Sequence, residues 1–291
     1  MAEPEHVLAV QCQAGESPRW DLPGGCLYWA DIVDPHLYRY SPSTGELKTY
    51  PCPVPVTGIG LRHGGGLVLA SKTGLHLLAG DFQTCAFVAN PEAGKPNVRF
   101  NDGMVDRQGR YWAATLNETD FSRPEGSLYR LDPDGLLHTL DTHLNAPNGM
   151  GWSPDDKTMY LADSHAQVIY AYDFDAALGG VSNRRVFARV PPEDGMPDGL
   201  TVDAEGGVWL GHWGGGHLKR FDPAGRLERK VPLPVSHVTA CAFGGPDLET
   251  LYITTAWFLL DPAQRQAQPG AGDLYQVRPG VRGLAEPRFL G

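Results

Sequence analysis

Short apolar runs separated by turns fill the whole chain, and no stretch carries the 3.6-residue period of an amphipathic helix for any length. The segment from Asn148 to Asp175 shows the unit. Apolar residues around Met150 and Trp152 run into a Pro154-Asp155-Asp156 turn. A second run, Thr158-Met159-Tyr160-Leu161-Ala162, follows, then a short gap, then the alternating Ile169-Tyr170-Ala171-Tyr172. Strand, turn, strand, loop, strand is the order this predicts.

Five other segments carry the same unit. The middle strand recurs as Cys26–Ala30, Gly66–Ala70, Arg110–Ala114, Gly207–Gly211 and Thr250–Thr254. Each copy follows a turn rich in Gly, Pro or Asp, which supply the backbone angles of tight hairpins. The third strand recurs as Leu37–Tyr40, Leu75–Leu78, Leu128–Leu131, Leu218–Phe221 and Leu274–Val277. Weaker fourth strands, such as Arg185–Ala188, fall between units. A repeat of about fifty residues in an all-strand chain specifies a radial array of sheets. The pattern therefore predicts an all-β, six-bladed β-propeller with four-stranded antiparallel blades around a central channel. The ring needs closing, and His6–Val10, ahead of the first unit, is placed as the outer strand of the last blade. Residues 1–291 read as a single domain.

Composition narrows the partners. A net charge of −10 argues against a nucleic-acid partner, which needs a basic face. The segment Met1–Glu5 is acidic and lacks the apolar core of a secretory signal, and no apolar run reaches about twenty residues. Cys12, Cys26, Cys52, Cys85 and Cys241 are odd in number and scattered, which suits reduced thiols in the cytoplasm. The expectation is a cytoplasmic protein that avoids membranes, monomeric or weakly dimeric.

The innermost strands supply the chemistry. Each has an apolar anchor just before its hairpin: Trp20, Leu61, Val105, Trp152, Val202 and Phe243. Four residues before these stand Glu16, Thr57, Asn101, Asn148, Asp198 and Thr239. Residues four apart on a strand share a face. Six oxygen-bearing side chains are thus expected to converge on the channel. Converging carboxylates repel, and a cation relieves that penalty. Glu16, Asn148 and Asp198 offer only oxygen, which favours calcium, magnesium or manganese, with calcium first; affinity order and availability compete with ligand hardness and keep zinc and iron(II) as further alternatives. Two loops between second and third strands are long, Leu116 to Gly126 and Trp257 to Gly272, and are candidate lids. Glu118, His165, His212 and Trp213 are expected at the rim, with no catalytic role assigned to either histidine.

Gly15-Glu16-Ser17-Pro18-Arg19-Trp20, Arg99-Phe100-Asn101-Asp102-Gly103, Asn148-Gly149, Pro197-Asp198-Gly199 and Phe243-Gly244-Gly245-Pro246-Asp247 follow one another along nearly the whole chain. In this order they resemble the senescence-marker-protein/gluconolactonase family, also called the regucalcin family. The resemblance implies a propeller that binds one divalent ion through Glu16, Asn148 and Asp198 and opens sugar lactones. It implies substrate contacts for Arg99 and Asn101. Glu118 is nearest to the family's acidic loop residue, although the loop spacing differs. Asp198 is expected to take the proton of the attacking water. Phosphotriester or aryl-ester hydrolysis, and a non-catalytic calcium-binding role, are the alternatives.

Overall fold

The computed structural model describes residues 3–291, so Met1 and Ala2 of the segment read above for a leader lie outside it. Strand β1 (Glu5–Leu8) precedes the first blade, which is β2 (Gly15–Asp21), β3 (Cys26–Asp31), β4 (His36–Ser41) and β5 (Glu46–Pro51). Blade 2 is β6 (Val56–Leu61), β7 (Leu67–Ser71), β8 (Gly74–Leu78) and β9 (Cys85–Ala89). Blade 3 is β10 (Val98–Val105), β11 (Tyr111–Asn117), β12 (Gly126–Leu131) and β13 (Leu137–Leu144). Blade 4 is β14 (Pro147–Trp152), β15 (Thr158–Asp163), β16 (Val168–Asp175) and β17 (Gly180–Arg189). Blade 5 is β18 (Met196–Val202), β19 (Val208–Trp213), β20 (His217–Phe221) and β21 (Leu227–Pro232). Blade 6 is β22 (His237–Gly244), β23 (Thr250–Ala256) and β24 (Leu274–Val277), completed on its outer edge by β1. The architecture is the six-bladed propeller that the repeat predicts.

Burial explains the strand compositions. Inner strands pack on both faces, and β6 and β22 are buried at every position. Outer strands face water, and β5 is exposed at five of its six positions. Between blades sit apolar clusters such as Tyr160, Ile169, Leu200, Val202 and Leu210. Buried carboxylates stitch the inner hairpins. Asp31 accepts from the backbone N–H groups of Gln13 and Ala14, and Asp163 does the same for Asn145 and Ala146. Both aspartates close the second strand of their blade, and both tie down the chain that enters the first strand.

Two further features hold the ring. β1 runs antiparallel to β24, with Glu5 opposite Gln276 and His6 opposite Tyr275. After β24 the tail crosses the far end of the channel as a strap. Its Arg282 carbonyl accepts from Ala204 N, and Gly283 N donates to Leu248 O. Residues 284–287 then share a small cavity with the ends of β10, β14 and β18. Beyond the channel, Phe289 exchanges hydrogen bonds with Leu61 and His63, and Leu290 N donates to Gly109 O. Phe289 is 2% exposed within the cluster of Val68, Phe100 and Tyr111.

One helix is present inside the second long loop, α1 (Pro262–Ala267). The Asp261 side chain accepts from Gln264 N, and the Gln264 side chain accepts from Asp261 N, a reciprocal capping box. Asp261-Pro262 followed by Gln264 is a legible helix start, which the reading of Trp257–Gly272 as an unbroken loop passed over. Among the described residues no helix is long and apolar enough to cross a membrane.

Candidate metal centre and active site

Each inner strand carries one extra residue relative to its partner, and the irregularity falls at the same place in all six. It lies at Thr57, Asn101, Asn148–Gly149, Asp198–Gly199 and Thr239–Ala240, and directly after Glu16 in the first strand. A bulge bends the strand and re-aims a side chain. Simple alternation thus fails at the positions used to infer convergence, and the repeated bulge sets their direction instead.

Five of the six side chains reach one cavity of ≈ 560 Å³: Glu16, Thr57, Asn101, Asn148 and Asp198. The sixth does not. Thr239 is fully buried, and its hydroxyl donates to Gly15 O and pairs with Thr254 Oγ1 at 2.9 Å. It braces the strand beside Glu16 instead of facing the channel. Arg99 and Glu118 line the same cavity, so every residue singled out for metal or substrate from the sequence meets there.

The floor is electrostatically tense. Asp198 is 4% exposed. Burial, then the neighbouring Asp198 and Asp102 carboxylates, push the Glu16 carboxyl well above the usual range. Burial, then Asp102, do the same to Asp198, only partly offset by the Asn148 amide and Gly199 N–H. Nearby cations are engaged by other carboxylates. Arg19 lies 3.9 Å from Asp102, and Arg99 binds Glu118. Thr57 Oγ1 is buried without a hydrogen-bond partner. Among the described residues no three His, Cys, Asp or Glu side chains form a metal-binding group by themselves. The axial set differs in kind, being two carboxylates with an amide oxygen and a free hydroxyl beside them. An oxygen-only set of that charge fits a hard divalent cation, which would offset the repulsion and accept the orphaned lone pairs.

The wall beside this floor is a charged network. Arg99 Nε and Lys72 Nζ each donate to Glu118 Oε2 at 2.9 Å. Arg99 Nη1 donates to Phe100 O and, at 2.9 Å, to Asn101 Oδ1, while Asn101 Nδ2 donates to Pro147 O. Partial burial pushes the Glu118 carboxyl up, but Lys72 and Arg99 outweigh it and hold the group below its ordinary value. Asn148 Nδ2 donates to Ser164 Oγ at 3.3 Å, which orients the amide.

Sequence reasoning missed Lys72, Asp102 and Ser164. Lys72 stands in the tight β7–β8 turn, where a lone charge among small residues was the available signal. Asp102 directly follows Asn101 in the Arg99–Gly103 segment, where a carboxylate beside the aligned amide was the available signal. Trp213 lines the cavity as expected, but the rim histidines do not. His165 is exposed and away from the cavity lining. His212 is fully buried, with Nδ1 on Asp194 O and its ring 4.5 Å from that of His217. Its side chain turns into the blade because β19 pairs His212 with Pro197 and His217 on either side.

The sequence profile of the SMP-30/Gluconolactonase/LRE-like region matches residues 14–257. Regucalcin from Xenopus laevis is 36% identical over 296 residues, taking in 99% of this chain and 98% of its own. The structure of a calcium-binding protein, regucalcin, from Agrobacterium tumefaciens superposes with a TM-score of 0.92 at 27% identity, covering 98% of this chain and 96% of that one. A gluconolactonase from Xanthomonas campestris superposes with a TM-score of 0.77 at 25% identity, covering 94% and 89%.

Proposed function

The chain belongs to the SMP-30/gluconolactonase/LRE-like family, and from that premise we propose that it is a metal-dependent lactonase of the cytoplasm acting on a small sugar lactone of the gluconolactone or xylonolactone type. One observation carries the reading. Glu16, Asn148 and Asp198 stand in the same cavity as Arg99 and Asn101, so an ion-binding set and a hydroxyl-binding set face one ligand-sized space.

A divalent cation, calcium in first place, held by Glu16, Asn148 and Asp198 would act as a Lewis acid on the lactone carbonyl. The protein's own groups do the rest. Arg99 and Asn101 donate to ring hydroxyls and set the carbonyl at the floor, and Glu118 with Lys72 fixes the Arg99 guanidinium. Asp198 takes a proton from the attacking water as its oxygen bonds to the carbonyl carbon. As the ring C–O bond breaks, that proton passes to the departing alkoxide, leaving the open-chain hydroxy acid.

The test is turnover of gluconolactone, xylonolactone, an aryl ester and a phosphotriester by chelator-stripped protein with each metal restored. Asp198→Asn and Asp198→Ala are assayed alongside, with metal content measured. Sugar-lactone turnover that needs the metal and falls at least a hundredfold in Asp198→Asn supports the reading. Preferred phosphotriester turnover would reassign the substrate. Metal binding without turnover of any of these compounds would leave a calcium-binding propeller. Asp198→Ala that keeps both its ion and full activity would remove the role given to Asp198.

A further inference from the structure

The cavity has a polar floor and a divided mouth. In ring order, blades 2 and 3 contribute Lys72, Arg99 and Glu118, with the exposed Phe121 beside them, while blades 5, 6 and 1 contribute Trp213, Phe258, Leu259, Ile32 and Val33 and no charged side chain at the mouth. The apolar arc is continuous across the ring closure and comes from the β3–β4 loop, the β23–β24 loop and the end of β19, so no single element's packing explains it. Phe258 is 37% exposed and Leu259 73%. Large apolar side chains left in water around a polar-based cavity mark a binding surface.

The loop that holds them is anchored. Trp257 N and Phe258 N both donate to Gln13 O, at 3.0 and 2.8 Å, and Trp257 Nε1 donates to Gln11 O. The Arg265 guanidinium stacks 3.7 Å from the Trp257 ring centre, and its Nη2 donates to Gln11 Oε1. The capping box at Asp261 fixes the start of α1 immediately afterwards. Leu259 itself has φ = 69°, a left-handed conformation uncommon for a residue with a side chain. Such conformations persist where surrounding structure enforces them, and they gather at ligand sites. The loop thus presents Phe258 and Leu259 as a standing wall.

We propose, resting on the lactonase reading above, that the site also takes lactones bearing an alkyl or aryl substituent, and gains from the substituent. The substituent lies on the arc of Ile32, Val33, Trp213, Phe258 and Leu259, and the ester group sits at the polar floor. A polyhydroxylated ring alone leaves that arc wet. A pentyl chain covers it, and each buried methylene is worth about fourfold in transition-state binding.

The experiment compares kcat/KM of the full-length, calcium-loaded protein on δ-valerolactone, its pentyl-substituted homologue δ-decalactone, dihydrocoumarin and gluconolactone. The expected result is a gain of roughly a hundredfold for δ-decalactone over δ-valerolactone, the amount that burying about three to four of the five side-chain carbons supplies. Phe258→Ser/Leu259→Ser is expected to cut that ratio about tenfold. Ring opening of gluconolactone or δ-valerolactone with no gain for the pentyl homologue overturns the proposal, as does an unchanged ratio in the double variant. If no lactone is opened, the lactonase reading fails separately. The apolar seat is then read from tryptophan fluorescence during titration with 3-pentylcyclohexanone, a non-hydrolysable ring with the carbonyl and the pentyl chain in the same relative positions. Saturable binding that weakens in the double variant supports the seat, and its absence overturns it.

Discussion

Arg99 donates through Nε to Glu118 Oε2 at 2.9 Å, and Lys72 meets the same oxygen at the same distance. Glu118 therefore positions two cations at the cavity wall. Removing it in Glu118→Ala leaves Arg99 held only through Nη1, on Phe100 O and Asn101 Oδ1. Charge-assisted hydrogen bonds are worth about 1.5–3 kcal/mol. KM for a hydroxylated lactone should rise roughly 10- to 100-fold while kcat changes little, because the lost interaction precedes the chemistry. Steady-state kinetics check this. Glu118 also sets a pH expectation. Its folded value lies below the unfolded one, so its contribution is fully present above the ordinary Glu value of about 4.3 and is lost as pH falls through the lower folded value. KM should therefore stay flat between neutral pH and about 5.

Glu16, Asp102 and Asp198 crowd one buried region. A chelator should lower the melting temperature, and calcium at about a hundred times its dissociation constant should restore about 2.7 kcal/mol. For a domain of this size that is about 5 °C or more by calorimetry. Glu16→Gln/Asp198→Asn should melt higher than the stripped wild type and show no calcium shift, since the repulsion and the ligands leave together.

His212 gives the acid limb of stability. Burial first, then His217 and Lys219, push its pKa down to about 3. The unfolded chain takes up this proton near 6.5, so the stability linked to neutral His212 is complete above that value. It drains away as pH falls toward 3, at up to about 1.4 kcal/mol per pH unit. His217 and His237 are shifted in the same direction, with burial the leading cause for both. Urea midpoints at pH 7.5, 6 and 5 should fall steadily in the wild type, and His212→Gln should flatten the slope whatever its effect on absolute stability.

The tail strap should carry real stability. Phe289→Ala removes a fully packed ring from between blades and should cost about 3–5 kcal/mol in urea unfolding. Loss of the pair between Arg288 and Asp21, in Arg288→Ala, should cost less, because both groups retain some water.

Much of this was legible from strand periodicity, and the reasons are physical. Trp20, Val105, Trp152 and Val202 mark inner strands because a residue buried beside a tight turn leaves a strong local signature. Glu16, Asn148 and Asp198 stood out because polar groups at equivalent places in apolar strands have no local explanation. Thr239 had the same signature, and only the fold shows its hydroxyl spent on Gly15 and Thr254. The bulges were hidden because one extra residue changes pairing without changing composition. The strap was hidden too, since Arg282, Gly283 and Phe289 bond to three different blades and repeat nothing. Lys72 and Glu118 are forty-six positions apart, and no local rule joins them.

The pairing of β1 with β24 has a consequence for biosynthesis. Strand β1 must wait, unpartnered, until β24 and the five complete blades between them have been translated. Five blades can assemble vectorially, but the sixth cannot be sealed until β24 has left the ribosome. Until then β1 and the outer edge of β23 are the vulnerable ones, and a chain stalled before β24 would be an open ring ready to recruit a foreign strand.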